Sequence, residues 1–285
     1  MTNNEAIKKM DEWMTYRGLA TSTKKNYVMH VELLSRYFGK PLFELSKDEV
    51  KEYLYTEAKT KKLSASYSNL SYASIRLMYE QIFERDSFMK TIPRRKRKHK
   101  DLTVFTKDEV KKLIHAADNL RDKALLLTIY SAGLRLSEAA HLKISDIDSK
   151  KMRIFVEQGK GSKDRHTLLA QNTLQILREY YKKYRPKKWL FPGRSIGEPL
   201  SCKTIQHIFR KSKNRVKINH PKPSVHGLRH AFCTHLIESG VDILVLKELV
   251  GHSNIESTSK YVHLANKDKL KVVSPADVMG GIFND

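Results

Sequence analysis

The spacing of apolar residues in the first 92 residues predicts a small helical bundle. Apolar side chains recur at intervals of four, three and four positions, as on one face of an α-helix, at Tyr27, Val31, Leu34 and Phe38. The stretch SKDEV pairs Ser46 with Glu49 as a capping box, which marks the start of a helix. A further helix is expected across residues 68–83. We therefore expect about four helices packed on one core.

The pattern after residue 103 predicts a second segment that is helical apart from one hairpin. It opens with TKDEV, where Thr106 and Glu109 form another capping box, and helical periodicity continues to about residue 140. Residues 153–170, RIFVEQGKGSKDRHTLLA, then give two β-prone runs around a glycine-rich turn. From residue 171 the period is helical again. The predicted fold class is mainly α with a small antiparallel β-sheet.

A run of cations separates the two segments and predicts a linker. Pro93 is followed by six Lys or Arg in seven positions, a composition that stays solvated instead of packing. We expect a helical domain at 1–92, a basic linker at 93–102 and a second domain at 103–285. We also expect the linker cations to contact DNA: Arg94, Arg95, Lys96, Arg97, Lys98 and Lys100.

The net charge of +23 indicates a polyanionic partner. Residues 1–92 contribute +3, the linker +5 and residues 103–285 +15, so the excess lies in the linker and the second domain. Nucleic acid is the expected partner, with a generally basic protein as the alternative.

The remaining composition argues against secretion, membrane insertion and a structural metal. The two cysteines, Cys202 and Cys233, cannot build a disulfide framework or a four-ligand zinc site. The first residues contain no apolar signal region, and no apolar run approaches a membrane span. We expect no membrane association and a reduced cytoplasmic location, in or near the nucleoid.

The run PSVHGLRHAFCTH raises the question of what its three histidines do. His226 and His230 have the i,i+4 spacing of zinc-protease ligands, but Gly227 stands where that motif needs a glutamate. Arg229 is also a poor neighbour for a divalent metal. We therefore predict no metal site. For His230 and His235 a structural place, on the helix surface or in a buried hydrogen bond, is the alternative.

A site for an anion fits better because a second arginine has a similar setting. Arg135 follows a glycine, and Glu138 three residues later can orient its guanidinium. Two guanidinium groups, each with N–H donors arranged as a planar fork, suit a phosphate whose charge grows in a transition state. The hairpin turn adds Lys160 and Lys163 but lacks the P-loop pattern. The segment GHSNIESTSKYVHL adds two more candidates, His252 and Tyr261.

Taken in order, these motifs resemble the tyrosine recombinase (phage integrase) family. The resemblance rests on GLRLSEAAHL, GKGSKDR, HGLRHAFCTHLIESGVD and LVGHSNIESTSKYVH, and on the intervals between them. It is strong over residues 103–263 and looser over 15–92, which resembles the helical core-binding domain of that family. The implied fold is therefore a helical core-binding domain followed by a recombinase catalytic domain.

The resemblance implies a role for each matching residue. Tyr261 would attack a DNA phosphodiester, leaving a 3′-phosphotyrosyl bond and a free 5′-hydroxyl. Arg135 and Arg229 would hold the nonbridging oxygens, with Glu138 as support. The remaining roles would be deprotonation of the tyrosine by His226, protonation of the leaving oxygen by Lys160 and a hydrogen bond to the phosphate from His252. No metal, nucleotide or other cofactor is implied.

The same resemblance implies the partners of the protein and the type of recombinase to expect. Double-stranded DNA would be the substrate, bound by a homo-tetramer on paired sites and by a monomer or dimer off DNA. We expect no arm-binding domain before the helical domain, and therefore the short two-domain type seen in Xer recombinases and mobile-element integrases. Two alternatives stay open, namely a catalytically idle DNA-binding protein on this scaffold and a type IB topoisomerase-like nicking and closing enzyme.

Overall fold

The structure is mostly helical and carries one small sheet, which confirms the predicted fold class. It is a computed structural model that describes residues 1–96, 104–157, 164–216, 218 and 223–265, except for the side chain of residue 263. The chain divides into two compact units, Met1–Lys100 and Asp101–Asp285. In the described ranges no helix has both the length and the apolar character needed to cross a bilayer.

The first unit is a helical bundle. Its α-helices are α1 (Asn3–Tyr16), α2 (Thr21–Phe38), α3 (Lys47–Thr60) and α4 (Ala65–Leu77), and α4 continues as a π-helical turn over Met78–Ile82. The predicted apolar face of α2 lies in the core, with Val31 and Leu34 fully buried. The Ser46–Glu49 capping box is present at the start of α3. The predicted helical character of this segment is confirmed.

The first residues of the basic run bind to the helical unit itself. The backbone amide of Arg95 donates to Asn69 Oδ1 and its carbonyl accepts from Asn69 Nδ2. The Arg95 guanidinium donates to the Leu63 carbonyl and to Ser68 Oγ, and the Arg94 guanidinium lies 5.2 Å from the centre of the Tyr72 ring. Of the other predicted contact residues, Lys96 is exposed. Arg97, Lys98 and Lys100 lie outside the described residues, and their contact with DNA stays a prediction.

In its described residues the second unit consists of helices and one three-stranded sheet. The helices are α5 (Lys107–His115), α6 (Leu120–Ser131), α7 (Leu136–Ala140), α8 (Gln171–Tyr184), α9 (Cys202–Arg215), α10 (Val225–Glu238), α11 (Ile243–Val250) and α12 (Glu256–Leu264). The capping box of Thr106 and Glu109 begins α5, as predicted. The helical stretch predicted to reach residue 140 consists of α5, α6 and α7.

The predicted hairpin is confirmed, and a third strand extends it. Strand β2 (Arg153–Val156) pairs antiparallel with β3 (Arg165–Leu168), so that Val156 faces Arg165 and Arg153 faces Leu168. Strand β1 (Ile147–Asp148) adds to the other edge of β2. A strand of two residues is too short to show the alternation of apolar and polar positions, which is why the sequence did not indicate β1. The turn with Lys160 and Lys163 lies in 158–163, outside the described residues.

Two glycines allow helix α10 to approach its neighbours closely. Gly133, just after α6, has φ +60°, and a Cβ there would lie 2.3 Å from the Phe232 ring. A Cβ on Gly227 would lie 2.6 Å from the Phe105 ring. Such distances are far inside van der Waals contact. The close packing at Gly133 sets α10 against the segment that leads into Arg135, and so brings two of the candidate site regions together.

Candidate active site

The carboxylate of Glu138, on α7, is the centre of the candidate site. Its Oε1 accepts hydrogen bonds from Nη1 of Arg135 at 2.7 Å and from Nη1 of Arg165 at 2.8 Å. Its Oε2 accepts from the Arg135 backbone amide and from Nη2 of Arg165, both at 2.7 Å. Nη1 of Arg229 lies 3.7 Å from Oε2. The predicted contact between Arg135 and Glu138 is present, and two further arginines join it.

The same three arginines also bind the end of helix α11. Nε of Arg165 donates to the Leu249 carbonyl at 2.9 Å. The next two carbonyls, of Val250 and Gly251, accept from Nη2 of Arg229 at 2.5 Å and from Nη2 of Arg135 at 2.9 Å. Carbonyls in the last turn of a helix lack intrahelical partners and carry partial negative charge. The guanidinium groups therefore provide hydrogen-bond donors to the unpaired carbonyls at the end of α11, directly before His252.

Burial differs among these arginines and decides what each can offer a ligand. Arg229 is 0% exposed, while the Arg135 side chain is 19% exposed. Burial and the nearby charge of Arg135 lower the pKa of Arg229 to about 10, so it stays charged at neutral pH. Among the described residues, Nε of Arg229 has no hydrogen-bond partner. An unpaired buried donor on a cation is a place where an anion would be stabilised.

The charge of Glu138 is fixed by its arginines. Burial by itself would raise the pKa of this carboxyl, because a charged form loses hydration. Hydrogen bonds and charge from Arg165 and Arg135 outweigh that effect and bring the pKa of Glu138 to about 2. The carboxylate is therefore ionised at every physiological pH.

Tyr261, on α12, lies inside the domain instead of facing solvent. It is 1% exposed, and its hydroxyl lies 2.9 Å from Nδ1 of His230. Its ring is nearly parallel to that of His252, with 6.2 Å between ring centres. The ammonium of Lys260 lies 5.0 Å from the centre of the Tyr261 ring. His252 is held in turn by Thr258, whose Oγ1 is 2.9 Å from Nδ1.

The surroundings of Tyr261 keep its hydroxyl protonated. Burial raises the pKa of Tyr261, and the thiol of Cys233 raises it further, while Arg229 acts in the opposite direction. Burial and the neighbouring His226 lower the pKa of His230 to about 3, so this imidazole is neutral at physiological pH. The Tyr261–His230 hydrogen bond thus joins two neutral groups.

The structure brings together five of the six predicted catalytic residues. Arg135, Arg229 and His252 meet at the end of α11, and Tyr261 stacks on His252. His226 is exposed, and its ring centre is 4.4 Å from that of His230 in an edge-on contact. The sixth residue, Lys160, lies outside the described residues.

Two residues at the site had no assigned role in the sequence-based prediction. Arg165 stood inside the motif GKGSKDR, and its contact with Glu138 joins positions 27 apart. The sequence leaves a structural place open for His230, and its ring is hydrogen-bonded to Tyr261. His235 bonds the Tyr130 hydroxyl at 2.9 Å. Over the described ranges, no group of three or more His, Cys, Asp or Glu side chains could hold a metal ion.

A groove leads away from His226 along helix α9. It encloses about 820 Å³ and is bordered by Leu136 and by residues 223–226. One face of α9 lines it with polar and basic side chains at helical spacing, namely Lys203, Gln206, His207, Arg210, Lys213 and Asn214. The candidate site therefore opens onto a basic surface.

Replacement of Glu138 by Gln tests the electrostatic role of this carboxylate. Its pKa is depressed in the folded state, so its stabilising effect is present above the unfolded pKa of about 4.3 and is lost as pH falls toward 2. We expect Glu138→Gln to unfold more easily than the parent at pH 7 by about 3 kcal/mol. Between pH 5 and about 2 the difference should shrink.

The measurement is urea denaturation of the second unit, followed by Trp189 fluorescence in a Trp13→Phe background. The exposed Glu179→Gln is the matched control and should resemble the parent at every pH. A Glu138→Gln variant whose deficit is the same at pH 7 and pH 3 would contradict the electrostatic role.

Comparison with known proteins agrees with this geometry. Residues 103–268 match the phage integrase family, and residues 7–87 match the N-terminal SAM-like domain of phage integrases. The chain is 33% identical to the tyrosine recombinase XerA of Pyrococcus horikoshii, over 96% of this chain and 95% of that protein. It is 32% identical to a tyrosine recombinase of Thermosipho africanus, over 95% of this chain and 99% of that protein.

Solved structures show the same fold. A lambda integrase dimer bound to a COC′ core site aligns with a TM-score of 0.75 at 19% identity, over 92% of this chain and 77% of that one. A lambda integrase tetramer bound to a Holliday junction aligns with a TM-score of 0.73 at 18% identity, over 89% and 78%. With its matched domains, its relatives and a buried site built on the predicted arginines, histidines and tyrosine, this chain belongs to the phage integrase family of tyrosine recombinases.

Proposed function

We propose that this protein is a site-specific recombinase that cleaves and rejoins double-stranded DNA through a 3′-phosphotyrosyl intermediate. The observation that carries the proposal is the convergence of Arg135, Arg229, His252 and Tyr261 around the end of α11. Two cationic forks match the charge and the oxygen geometry of a phosphodiester. The tyrosine on the next helix supplies a nucleophile.

The reaction follows from the groups present. The Tyr261 oxygen bonds to phosphorus, and the bond from phosphorus to the 5′-oxygen breaks. Arg135 and Arg229 stabilise the charge on the nonbridging oxygens, and His252 donates a hydrogen bond to them. The phosphotyrosyl bond conserves the energy of the broken bond, so attack by a 5′-hydroxyl reverses the step. No external energy source is required.

Two protons move in each cleavage. The tyrosyl proton leaves the nucleophile, and we assign His226 as the group that helps to remove it. His230 is the nearer imidazole in the unbound structure, and His226 packs edge-on against it, so both rings border the path of this proton. Lys160 is proposed to give the second proton to the leaving 5′-oxygen.

Tyr261 must turn outward before it can react. Its hydroxyl is buried, hydrogen-bonded to His230 and held protonated. Arg229 is equally inaccessible. We infer that DNA binding displaces α12 from its present position and exposes both groups to the phosphate.

The groove along α9 is the surface that we propose for DNA. A helix that presents basic and amide side chains from one face fits the major groove, where such groups read base edges. Lys203, Arg210 and Lys213 would contribute charge, and Gln206 and Asn214 would contribute hydrogen bonds. The cations of the linker, 94–100, are proposed as additional phosphate contacts.

We propose a homo-tetramer on paired DNA sites and a monomer or dimer without DNA. The lambda integrase neighbours have been solved as a dimer and as a tetramer on DNA. In this chain Leu244 and Val245 are about half exposed on α11, an apolar surface without cover from the described residues. The terminal segment carries apolar residues that suit such a surface, at Leu270, Val272, Val273, Val278, Ile282 and Phe283.

The place of action follows from the substrate. Both cysteines are unpaired, and Cys233 is buried in the same cluster as Tyr261. Unpaired thiols persist in a reducing compartment, which is where intracellular DNA lies. We propose that the protein works on the DNA of the nucleoid. A type IB topoisomerase-like enzyme or an idle DNA-binding protein would share the scaffold, and the experiments below distinguish them.

Replacement of Tyr261 by Phe tests the nucleophile. The parent is incubated with a pool of nicked duplexes of random sequence, and covalent adducts are isolated under denaturing conditions and sequenced. The parent should form an adduct with a defined sequence. Tyr261→Phe should form none, because it lacks the attacking oxygen, and should bind the recovered sequence within about threefold of the parent.

The exposed Tyr181→Phe is the matched control and should retain the adduct. An adduct that persists in Tyr261→Phe would remove this residue from the reaction. No adduct with the parent would favour the idle DNA-binding protein. Relaxation of supercoiled DNA without exchange between two sites would favour the topoisomerase-like activity.

The assignment of Lys160 as the general acid is tested against Lys163. Lys160 has glycine on both sides, which lets the backbone turn tightly and approach a substrate, whereas Lys163 precedes Asp164. Lys160→Ala should slow cleavage by about 10²–10⁴-fold with little change in binding. A substrate with sulfur at the bridging 5′-position needs little protonation and should restore most of that rate.

Lys163→Ala is the control and should show a small, salt-dependent defect that sulfur does not repair. Rescue of Lys163→Ala instead would move the acid to that position. Rescue of neither variant would mean that the turn only positions phosphate.

Deletion of residues 268–285 tests the proposed assembly. If the terminal segment docks on a neighbouring subunit, its removal should leave binding to a single site intact. Formation of the complex on paired sites and recombination should be lost, as measured by gel mobility and by strand exchange. Unchanged recombination would refute docking between subunits.

A further inference from the structure

Arg165 occupies a position at the candidate site that the proposed reaction does not use. It begins strand β3 and is 9% exposed. Its two Nη groups bind both oxygens of Glu138, and its Nε binds the Leu249 carbonyl. All three nitrogens of the guanidinium therefore have protein partners, and the Arg165 side chain is 7% exposed against 19% for Arg135.

The geometry around Glu138 shows what Arg165 does for its neighbours. A fork-to-fork pair with an arginine fixes the plane of a carboxylate. With Arg165 in place, Oε1 takes a single guanidinium bond from Arg135, and Oε2 takes the Arg135 backbone amide. Arg135 thereby keeps its remaining donors, and Arg229 stays 3.7 Å away from the carboxylate.

Without Arg165 the carboxylate would be free to rotate onto the other two arginines. Arg135 and Arg229 are the nearest remaining cations, and a bidentate pair with either one would neutralise the charge that a phosphate needs. Three arginines with one glutamate leave a net charge of about +2 at the site, and removal of one arginine leaves about +1. Arg165 therefore sets both the orientation and the charge of the phosphate-binding pair.

Arg165 also holds the backbone turn that carries His252. Gly251 has φ +62°, and a Cβ on it would lie 2.8 Å from Cδ of Arg165, so the arginine stem packs directly on this glycine. The hydrogen bond to the Leu249 carbonyl fixes the preceding residues of α11. One side chain thus connects the start of β3, Glu138 and the turn into His252.

We propose that Arg165 is a positioning residue that keeps Glu138 from neutralising Arg135 and Arg229 and so preserves their charge for the scissile phosphate. The proposal rests on the proposed function. Within the described ranges, the hydrogen bonds of Arg165 go to Glu138 and to the Leu249 carbonyl and to none of the groups assigned to bond making or proton transfer, so it acts through Glu138 and the end of α11.

The test compares two substrates on Arg165→Met and Arg165→Lys. One is the nicked duplex recovered with the parent, and the other carries a methylphosphonate at the scissile position, which removes the negative charge of the phosphate. If a variant has lost positive charge for binding the phosphate, its cleavage rate falls less, relative to the parent, on the neutral substrate than on the diester. On the diester, Arg165→Met should cleave about 10²-fold more slowly than the parent in a single turnover.

On the methylphosphonate the cleavage rate of Arg165→Met should be within about tenfold of the parent rate. Arg165→Lys keeps the charge but lacks the fork, so its defect on the diester should be smaller and should again shrink on the neutral substrate. This variant also keeps the test decisive if Arg165→Met does not fold. Binding to the duplex should change little, so the loss appears in the rate of cleavage.

Equal defects on both substrates would show that Arg165 only supports the fold, and would overturn the proposal. The surface variant Arg178→Met is the control and should cleave both substrates like the parent. The result with the parent protein separates a failure of the proposed function from a failure of the role of Arg165. If it forms no adduct on any nicked duplex, the proposed function fails, whereas adduct formation by the parent with equal defects in the variants refutes only the role of Arg165.

Discussion

Two arginine side chains hydrogen-bond one carboxylate and a third lies 3.7 Å from it, inside a protein that already carries a large excess of positive charge. Cations this close repel one another, and burial removes the water that would screen them. The Glu138 carboxylate and three successive backbone carbonyls provide the compensating negative charge. The geometry of the second unit around α7, α11 and β3 depends on this balance.

The arrangement explains why the parts of the site come from distant segments. Arg135 and Glu138 lie at the start of α7, Arg165 on β3 and Arg229 on α10, and each of the three arginines reaches the end of α11. Because every guanidinium has at least one backbone partner, the side chains are fixed before any ligand arrives. Preorganised donors of this kind do not need to reorient when charge develops on a substrate.

The sequence indicated those features that repeat or lie close together along the chain. The hairpin, the capping boxes and the Arg135–Glu138 pair depend on spacings of two to four residues, which periodicity and motif order report directly. The ordered motifs also indicated the five catalytic candidates that the structure brings together.

What the sequence did not indicate depends on tertiary contact. Arg165 meets Glu138 across 27 positions, and His230 meets Tyr261 across 31. A run of cations looks alike whether it faces solvent or its own domain, so the bonds of Arg95 to Asn69 and Ser68 were not apparent either. Burial of Tyr261 reflects the packing of α12 on α10, which no local pattern reports.

The inward position of Tyr261 has a consequence for the timing of the reaction. On the proposed function, a protein in this conformation can move along a duplex and pass each phosphodiester with no nucleophile directed at it. Searching and cutting then become separate events, and the frequency at which α12 swings away sets an upper limit on the rate of cutting. An encounter with the wrong sequence that is shorter than this movement ends before Tyr261 can reach a phosphate, which limits cleavage at unintended sites.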